Sequence, residues 1–207
     1  GDHEGALHLY ERAKEILEAT GALRTPHGAS LLQSMGLVKK ATGDYQGASH
    51  LYERAKAIYE ATGALQTPNG ATLLQNMGLV KLDTGDHEGA LQHYERAKEI
   101  YEATGALQTP NGADLLLNMG DAKGDTGDYE GALRLYERAK EIYEATGALQ
   151  TPNGARLLTC MGNVKVRTGN YEGALHLHER AKEILEATGA LQTPATTRAP
   201  CTSTSGR

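Results

Sequence analysis

The chain has 207 residues, 39% hydrophobic and 23% charged, with a formal net charge of −5. That balance excludes a fully disordered chain and the basic surface of a nucleic-acid binder. No apolar run approaches the roughly 18 residues that a membrane-spanning helix needs. Two cysteines, Cys160 and Cys201, are too few for a disulfide framework and fit a reducing, cytoplasmic setting. The chain opens on Gly1-Asp2 without a methionine, as an excerpt of a longer protein would, and carries no visible secretory leader. Its 25 glycines, without low complexity, ask for a periodic explanation.

That explanation is a 42-residue repeat. Gly-Asp opens at Gly1, Gly43, Gly85 and Gly127, and Gly169-Asn170 follows in register. Thr-Pro recurs at Pro26, Pro68, Pro110, Pro152 and Pro194 with no insertion or deletion. The units are therefore 1–42, 43–84, 85–126 and 127–168, with a partial fifth at 169–194. Across the four full units 26 of 42 columns are identical, so the glycines are punctuation and not linker. Residues 195–207 lack the pattern and read as a disordered tail.

Each unit reads as two helices. Thr67-Pro68 is a helix start, with threonine as N-cap and proline in the first turn. The following run, about 68–83, sets Ala71, Leu74, Met77 and Gly78 at helical spacing. Asp86 then caps a second helix over about 87–103, whose apolar side carries Ala90, Leu91, Tyr94, Ala97, Ile100 and Tyr101. Gly105 is a left-handed stop, with Leu107 closing a hydrophobic contact behind it. A pair of this size cannot bury its own apolar face, so the pairs must stack. The expected fold is an all-α solenoid of nine helices, starting and ending on a second-type helix.

Leu74, Met77, Gly78 and Lys81, followed by Ala90, Tyr94 and Ala97, resemble the tetratricopeptide repeat, and the spacing recurs at Leu32/Met35/Gly36, Leu116/Met119/Gly120 and Leu158/Met161/Gly162. Glu102 stands where the common form has a helix-ending proline, so the second helix runs on. With the 42-residue period this looks like the kinesin-light-chain type. Lys39, Lys81, Lys123 and Lys165 occupy a column where the family usually has tyrosine, and they must snorkel or pair with a carboxylate, a neighbouring glutamate being the expected one. The resemblance implies a right-handed superhelix whose first helices line a concave groove for partner peptides.

The groove positions implied in this way are among the variable columns. They are Ser30, Gln33, Leu37 and Lys40; Thr72, Gln75, Leu79, Leu82 and Asp83; Asp114, Leu117, Asp121 and Asp125; and Arg156, Thr159, Asn163 and Arg167. Variation on one face of a near-constant frame is what a binding surface produces; unconstrained drift at exposed positions produces it too. Asp114, Asp121 and Asp125 oppose Arg156, Arg167 and Lys40, with Leu37, Leu79 and Leu82 as an apolar segment, which suits a peptide of mixed charge. Neighbouring Asp and Arg pairing with each other is the plainer alternative.

The matching positions do not carry the lysines and asparagines of a carboxylate clamp. The eight histidines lack ligand spacing, Cys160 reads as a packing thiol, and no phosphate-binding glycine loop is present. No cofactor and no metal is expected. The sequence points to a non-enzymatic scaffold for protein or peptide partners, not for nucleic acid or membrane. A self-associating structural module, or the sensor repeats of a larger multidomain protein, are the alternatives.

Overall fold

Threonine, aspartate or asparagine, and glycine set the helix boundaries. The computed structural model describes residues 2–190. Among them are nine α-helices: α1 (His3–Ala19), α2 (Pro26–Ala41), α3 (Tyr45–Ala61), α4 (Pro68–Asp83), α5 (His87–Ala103), α6 (Pro110–Asp125), α7 (Tyr129–Thr146), α8 (Pro152–Arg167) and α9 (Tyr171–Ala187). The expected tail, the last Thr-Pro pair and Cys201 lie outside the described residues.

Thr25, Thr67, Thr109 and Thr151 sit in extended backbone and accept the amides of Gly28, Gly70, Gly112 and Gly154 at the starts of α2, α4, α6 and α8. Asp2, Asp44, Asp86, Asp128 and Asn170 do the same for the helices that follow. Such a cap satisfies an otherwise orphaned amide and contributes about 1 kcal/mol. Gly105, at φ 71°, ends the second helix of its pair in the left-handed region, as expected. A single 3-10 turn then intervenes at Ala22–Arg24, Ala64–Gln66, Ala106–Gln108 and Ala148–Gln150, which helical periodicity does not reveal.

The chain divides into two compact units, Gly1–Thr104 and Gly105–Arg207. In the first, α2 packs along α3 and α4 along α5, with α1 on α2 and α3 on α4. Its core is Leu32, Leu73 and Leu74 against Tyr52, Tyr59, Tyr94 and Tyr101. In the second, α6 packs along α7 and α8 along α9, with α7 on α8. There the core is Leu115, Leu116, Leu157 and Leu158 against Tyr136 and Tyr143. The tyrosine rings of Tyr52, Tyr94 and Tyr136 lie against Gly36, Gly78 and Gly120, where only a glycine leaves room. His178 takes the tyrosine's place opposite Gly162.

The lysine column does not pair with glutamate as expected. Lys39, Lys81 and Lys123 reach forward to the N-cap carboxylates Asp44 (3.0 Å), Asp86 (2.9 Å) and Asp128 (2.7 Å). Lys165 precedes Asn170, which has no carboxylate. Lys81, and then the Gly89 amide, hold the Asp86 carboxyl below its ordinary value; Lys123 and the Gly131 amide do so for Asp128. At Asp44 the Gly47 amide comes first and Lys39 second. The folded form therefore gives up these protons more readily than the unfolded chain. Their stabilisation is present above the ordinary carboxyl value of 3.8 and is lost as pH falls through the lower folded values. Asp86→Asn should keep the cap, as Asn170 does for Gly173 at 2.9 Å, while flattening the acid limb of the stability profile. Melting temperature measured from pH 7 to pH 2 checks this; an unchanged limb would refute the assignment.

Candidate functional site

In the first unit α2 and α4 frame an open cavity of about 360 Å³ lined by Ser30, Gln33, Ser34, Leu37, Asn69, Thr72 and Asn76. Four of its residues, Ser30, Gln33, Leu37 and Thr72, belong to the groove set implied by sequence. Leu37 is 49% exposed, an apolar side chain held out on a helix whose Leu32 is fully buried. Two hydroxyls in this wall are positioned from behind: Ser30 Oγ pairs with Tyr59 Oη at 2.9 Å and Thr72 Oγ1 with Tyr101 Oη at 2.8 Å. Lys40 Nζ reaches Asp83 at 3.3 Å and ties α2 to α4, with both side chains largely withdrawn from water. A second opening, about 380 Å³, lies between α1 and α2, where Ile16 and Leu17 face His27, Ser30 and Ser34.

The second unit uses the same columns differently. Tyr143 donates to Asp114, which also accepts from Asn153 Nδ2 at 2.9 Å. Burial raises the Asp114 carboxyl above its ordinary value, with the Tyr143 and Asn153 hydrogen bonds and Arg156 acting against it. Tyr136 donates to Asp121 Oδ1 at 2.9 Å, and the Arg156 guanidinium bonds the other oxygen of the same carboxylate. Arg156 also reaches Asn118 Oδ1 at 3.3 Å. Burial, then the neighbouring carboxylate, raises the phenols of Tyr136 and Tyr143, so both remain protonated donors.

Several groove candidates are consequently not open surface. Asp121 is 1% exposed, Leu117 0%, Leu82 5% and Gln75 8%. Asp121 and Arg156 pair directly, as the plainer alternative has it. Leu79, Asp125, Thr159 and Asn163 are partly exposed and Arg167 is exposed.

Sequence reading missed the tyrosines that hold this face. The signal was present as a spacing: Ser30–Tyr59, Thr72–Tyr101 and Asp114–Tyr143 are each 29 residues apart. The same step from Arg156 reaches Leu185, which has no hydroxyl, and Arg156 turns to Asp121 instead. Part of the variation in that column therefore follows its tyrosine partner and not a ligand.

Among the described residues no cluster of three or more His, Cys, Asp or Glu is arranged to hold a metal ion, and no helix is long and apolar enough to cross a membrane. Cys160 is buried at 1% exposure, as a packing side chain is.

Models of the tetratricopeptide repeat match residues 29–62 and 69–145. No curated protein matches the chain. The solved structure of BtubC (BKLC) from P. vanneervenii is similar over 100% of this chain and 82% of its own, at 22% identity and a TM-score of 0.77. The nearly identical TPR-like repeats of a putative kinesin light chain from Podosopora anserina match over 91% and 89%, at 20% identity and a TM-score of 0.69. The Rap conjugation gene regulator of plasmid pLS20, solved with the Phr* peptide, matches over 91% of this chain and 50% of its own, at 18% identity and a TM-score of 0.75. These likenesses establish the fold as an all-α solenoid of the TPR type. With repeats matched over more than half of its length, the chain belongs to the tetratricopeptide-repeat family.

Proposed function

We propose that the chain is a non-enzymatic scaffold that holds a peptide segment of a partner protein against the first helices of its repeats. The tetratricopeptide-repeat solenoid supports protein–protein interaction as its role. The observation that carries the finer reading is the open cavity between α2 and α4. Its amides (Gln33, Asn69 and Asn76) each offer both a donor and an acceptor to a peptide main chain. Leu37 offers an apolar anchor beside them. The structural neighbour solved with a bound peptide supports the same reading. The buried Asp121–Arg156 pair shifts the expected ligand contacts in the second unit toward Thr159, Asn163 and Arg167.

Because Leu37 is exposed, Leu37→Glu combined with Asn76→Leu should leave the melting temperature unchanged. Peptides selected from a displayed random library on the parent protein should bind this variant about tenfold more weakly or worse, a loss of ~1.4 kcal/mol or more. Equal binding by the folded variant would overturn the reading. Large exposed apolar residues on the terminal helices, Leu9 (67%) and Ile16 (58%) on α1 and Tyr171 (70%) and Leu175 (60%) on α9, favour self-association as a second reading. Sedimentation over a wide concentration range separates the two. A cytoplasmic location remains part of the proposal.

A further inference from the structure

α1 and α9 are near copies of one helix. Over their 17 residues they differ only at His3, which is Tyr171 in α9, and at Tyr10, which is His178. α8 packs along α9, and Ala174, Ala181 and Ile184 are buried there. The same residues of α1 are uncovered. Ala6 and Ala13 are only half-buried, and Ile16 is 58% exposed where Ile184 is 3%. No residue of α1 is buried, although every other second helix buries at least three. Among the described residues no helix lies along α1 as α8 lies along α9.

The internal helix pairs show what such a face accepts. In α2/α3, α4/α5 and α6/α7 a fully buried tyrosine ring, Tyr52, Tyr94 or Tyr136, lies against a glycine of the first helix, Gly36, Gly78 or Gly120. Tyr10 holds that column in α1 and is only half-buried. Three residues after the glycine, a lysine of the first helix reaches the N-cap carboxylate of the second: Lys39 to Asp44, Lys81 to Asp86 and Lys123 to Asp128. Asp2 is the N-cap of α1 and accepts the Gly5 amide at 2.8 Å, but it has no ion-pair partner among the described residues. Leu17 stands in the column of Tyr59, Tyr101 and Tyr143, and this smaller side chain borders the opening of about 380 Å³ between α1 and α2.

These features specify an occupant. An apolar stripe at helical spacing takes the apolar face of another helix. Tyr10 requires a glycine opposite it, and Asp2 calls for a cation three residues further on. A second copy of this chain does not supply such a helix, because each of its first helices is already laid along a second helix of its own. Pairing α1 with α1 of a second copy fails as well. It would set bulky side chains such as Leu9 and Ile16 where Tyr10 needs a glycine. It would also join two acidic helices, each carrying Glu4, Glu11, Glu15 and Glu18 against Arg12 and Lys14.

We propose that the uncovered face of α1, formed by Ala6, Leu9, Tyr10, Ala13 and Ile16 with Asp2 at its end, docks an amphipathic helix of another protein that carries the pattern Leu-x-x-Met-Gly-x-x-Lys. This surface is separate from the cavity between α2 and α4.

The full chain, titrated with a fluorescent peptide of the sequence Thr151–Thr168 carrying Cys160→Ser, tests this. That peptide is the helix that covers the α9 copy, and its Lys165 would find in Asp2 the carboxylate that Asn170 lacks. Saturable one-to-one binding is expected. Gly162→Leu in the peptide should weaken it about tenfold or more, because the added side chain meets the Tyr10 ring. Lys165→Gln should weaken it about two- to fivefold on the parent chain, and not at all on Asp2→Asn. Ile16→Glu changes an exposed residue, so it should keep the melting temperature while losing the peptide. The groove variant Leu37→Glu/Asn76→Leu should bind the peptide as the parent does, so the two readings fail independently. No saturable binding, equal binding of the Gly162→Leu peptide, undiminished binding by Ile16→Glu, or loss of binding in the groove variant would overturn the proposal. A parent chain that sediments as a dimer, with Ile16→Glu a monomer, would assign the face to a second copy and overturn it too.

Discussion

Arg156→Ala should destabilise the second unit by about 3 kcal/mol, the range for removing one partner of a buried ion pair. Asp121 is 1% exposed, and its carboxylate is held by the Arg156 guanidinium and the Tyr136 hydroxyl. Without the guanidinium, the charge is left in a space with little water, with the Tyr136 hydroxyl still donating to it. The double variant Asp121→Leu/Arg156→Leu should recover most of that loss. Leucine already stands at the column of Asp121 in two other copies, as Leu37 and Leu79. The Tyr136 hydroxyl would then be left as Tyr52 Oη is left now, at a cost of about 1–3 kcal/mol. Urea unfolding of the two single variants and the double gives the coupling energy. Additive losses would mean that the pair contributes nothing as a pair.

Two glycines one turn apart on α6 should respond to alanine with opposite signs. At Gly120 an added Cβ would overlap the Tyr136 ring, with Cζ 2.9 Å away. That ring is fully buried, and its hydroxyl is fixed on Asp121. It has nowhere to move, so overpacking of about 1–3 kcal/mol and a disturbed hydrogen bond together outweigh the ~1 kcal/mol that alanine gains in helix propensity. A net loss of about 2 kcal/mol is expected. At Gly124 the nearest atoms to a Cβ are Ala132 Cβ, Tyr136 Oη and Val164 Cγ2, each at 3.9 Å, which is ordinary contact. Gly124→Ala should therefore stabilise by about 0.5–1 kcal/mol. Denaturant midpoints of the two variants decide the matter; the same sign at both sites would refute the packing account.

The face of the first helices was only partly legible in the sequence. Repetition located the variable columns, and Ser30, Gln33, Leu37 and Thr72 do line a cavity. Variability did not distinguish a residue facing solvent from one whose partner also varies. Asp114 is held by Tyr143 and Asn153, whose columns are tyrosine and asparagine in neighbouring copies as well, whereas Asp121 changes together with Arg156, because a charge placed in a low-dielectric setting needs its counterpart. Leu117 and Leu82 occupy columns that read as exposed, yet both are core.

The sequence by itself determined the helix boundaries and the family. Caps, left-handed glycines and apolar spacing are local, and repetition confirms each of them four times over. It determined as well that a small residue must sit at Gly36, Gly78 and Gly120, because a large ring recurs at fixed distance along the chain. The tertiary structure alone decided which polar side chains are consumed by neighbours and which remain available. Lys81 turns to the Asp86 cap and not to a glutamate, Arg156 to Asp121, and Ser30 to Tyr59. Hydrogen-bond and ion-pair partners are set by geometry across helices, and one-dimensional spacing carries no direct record of which side chains meet.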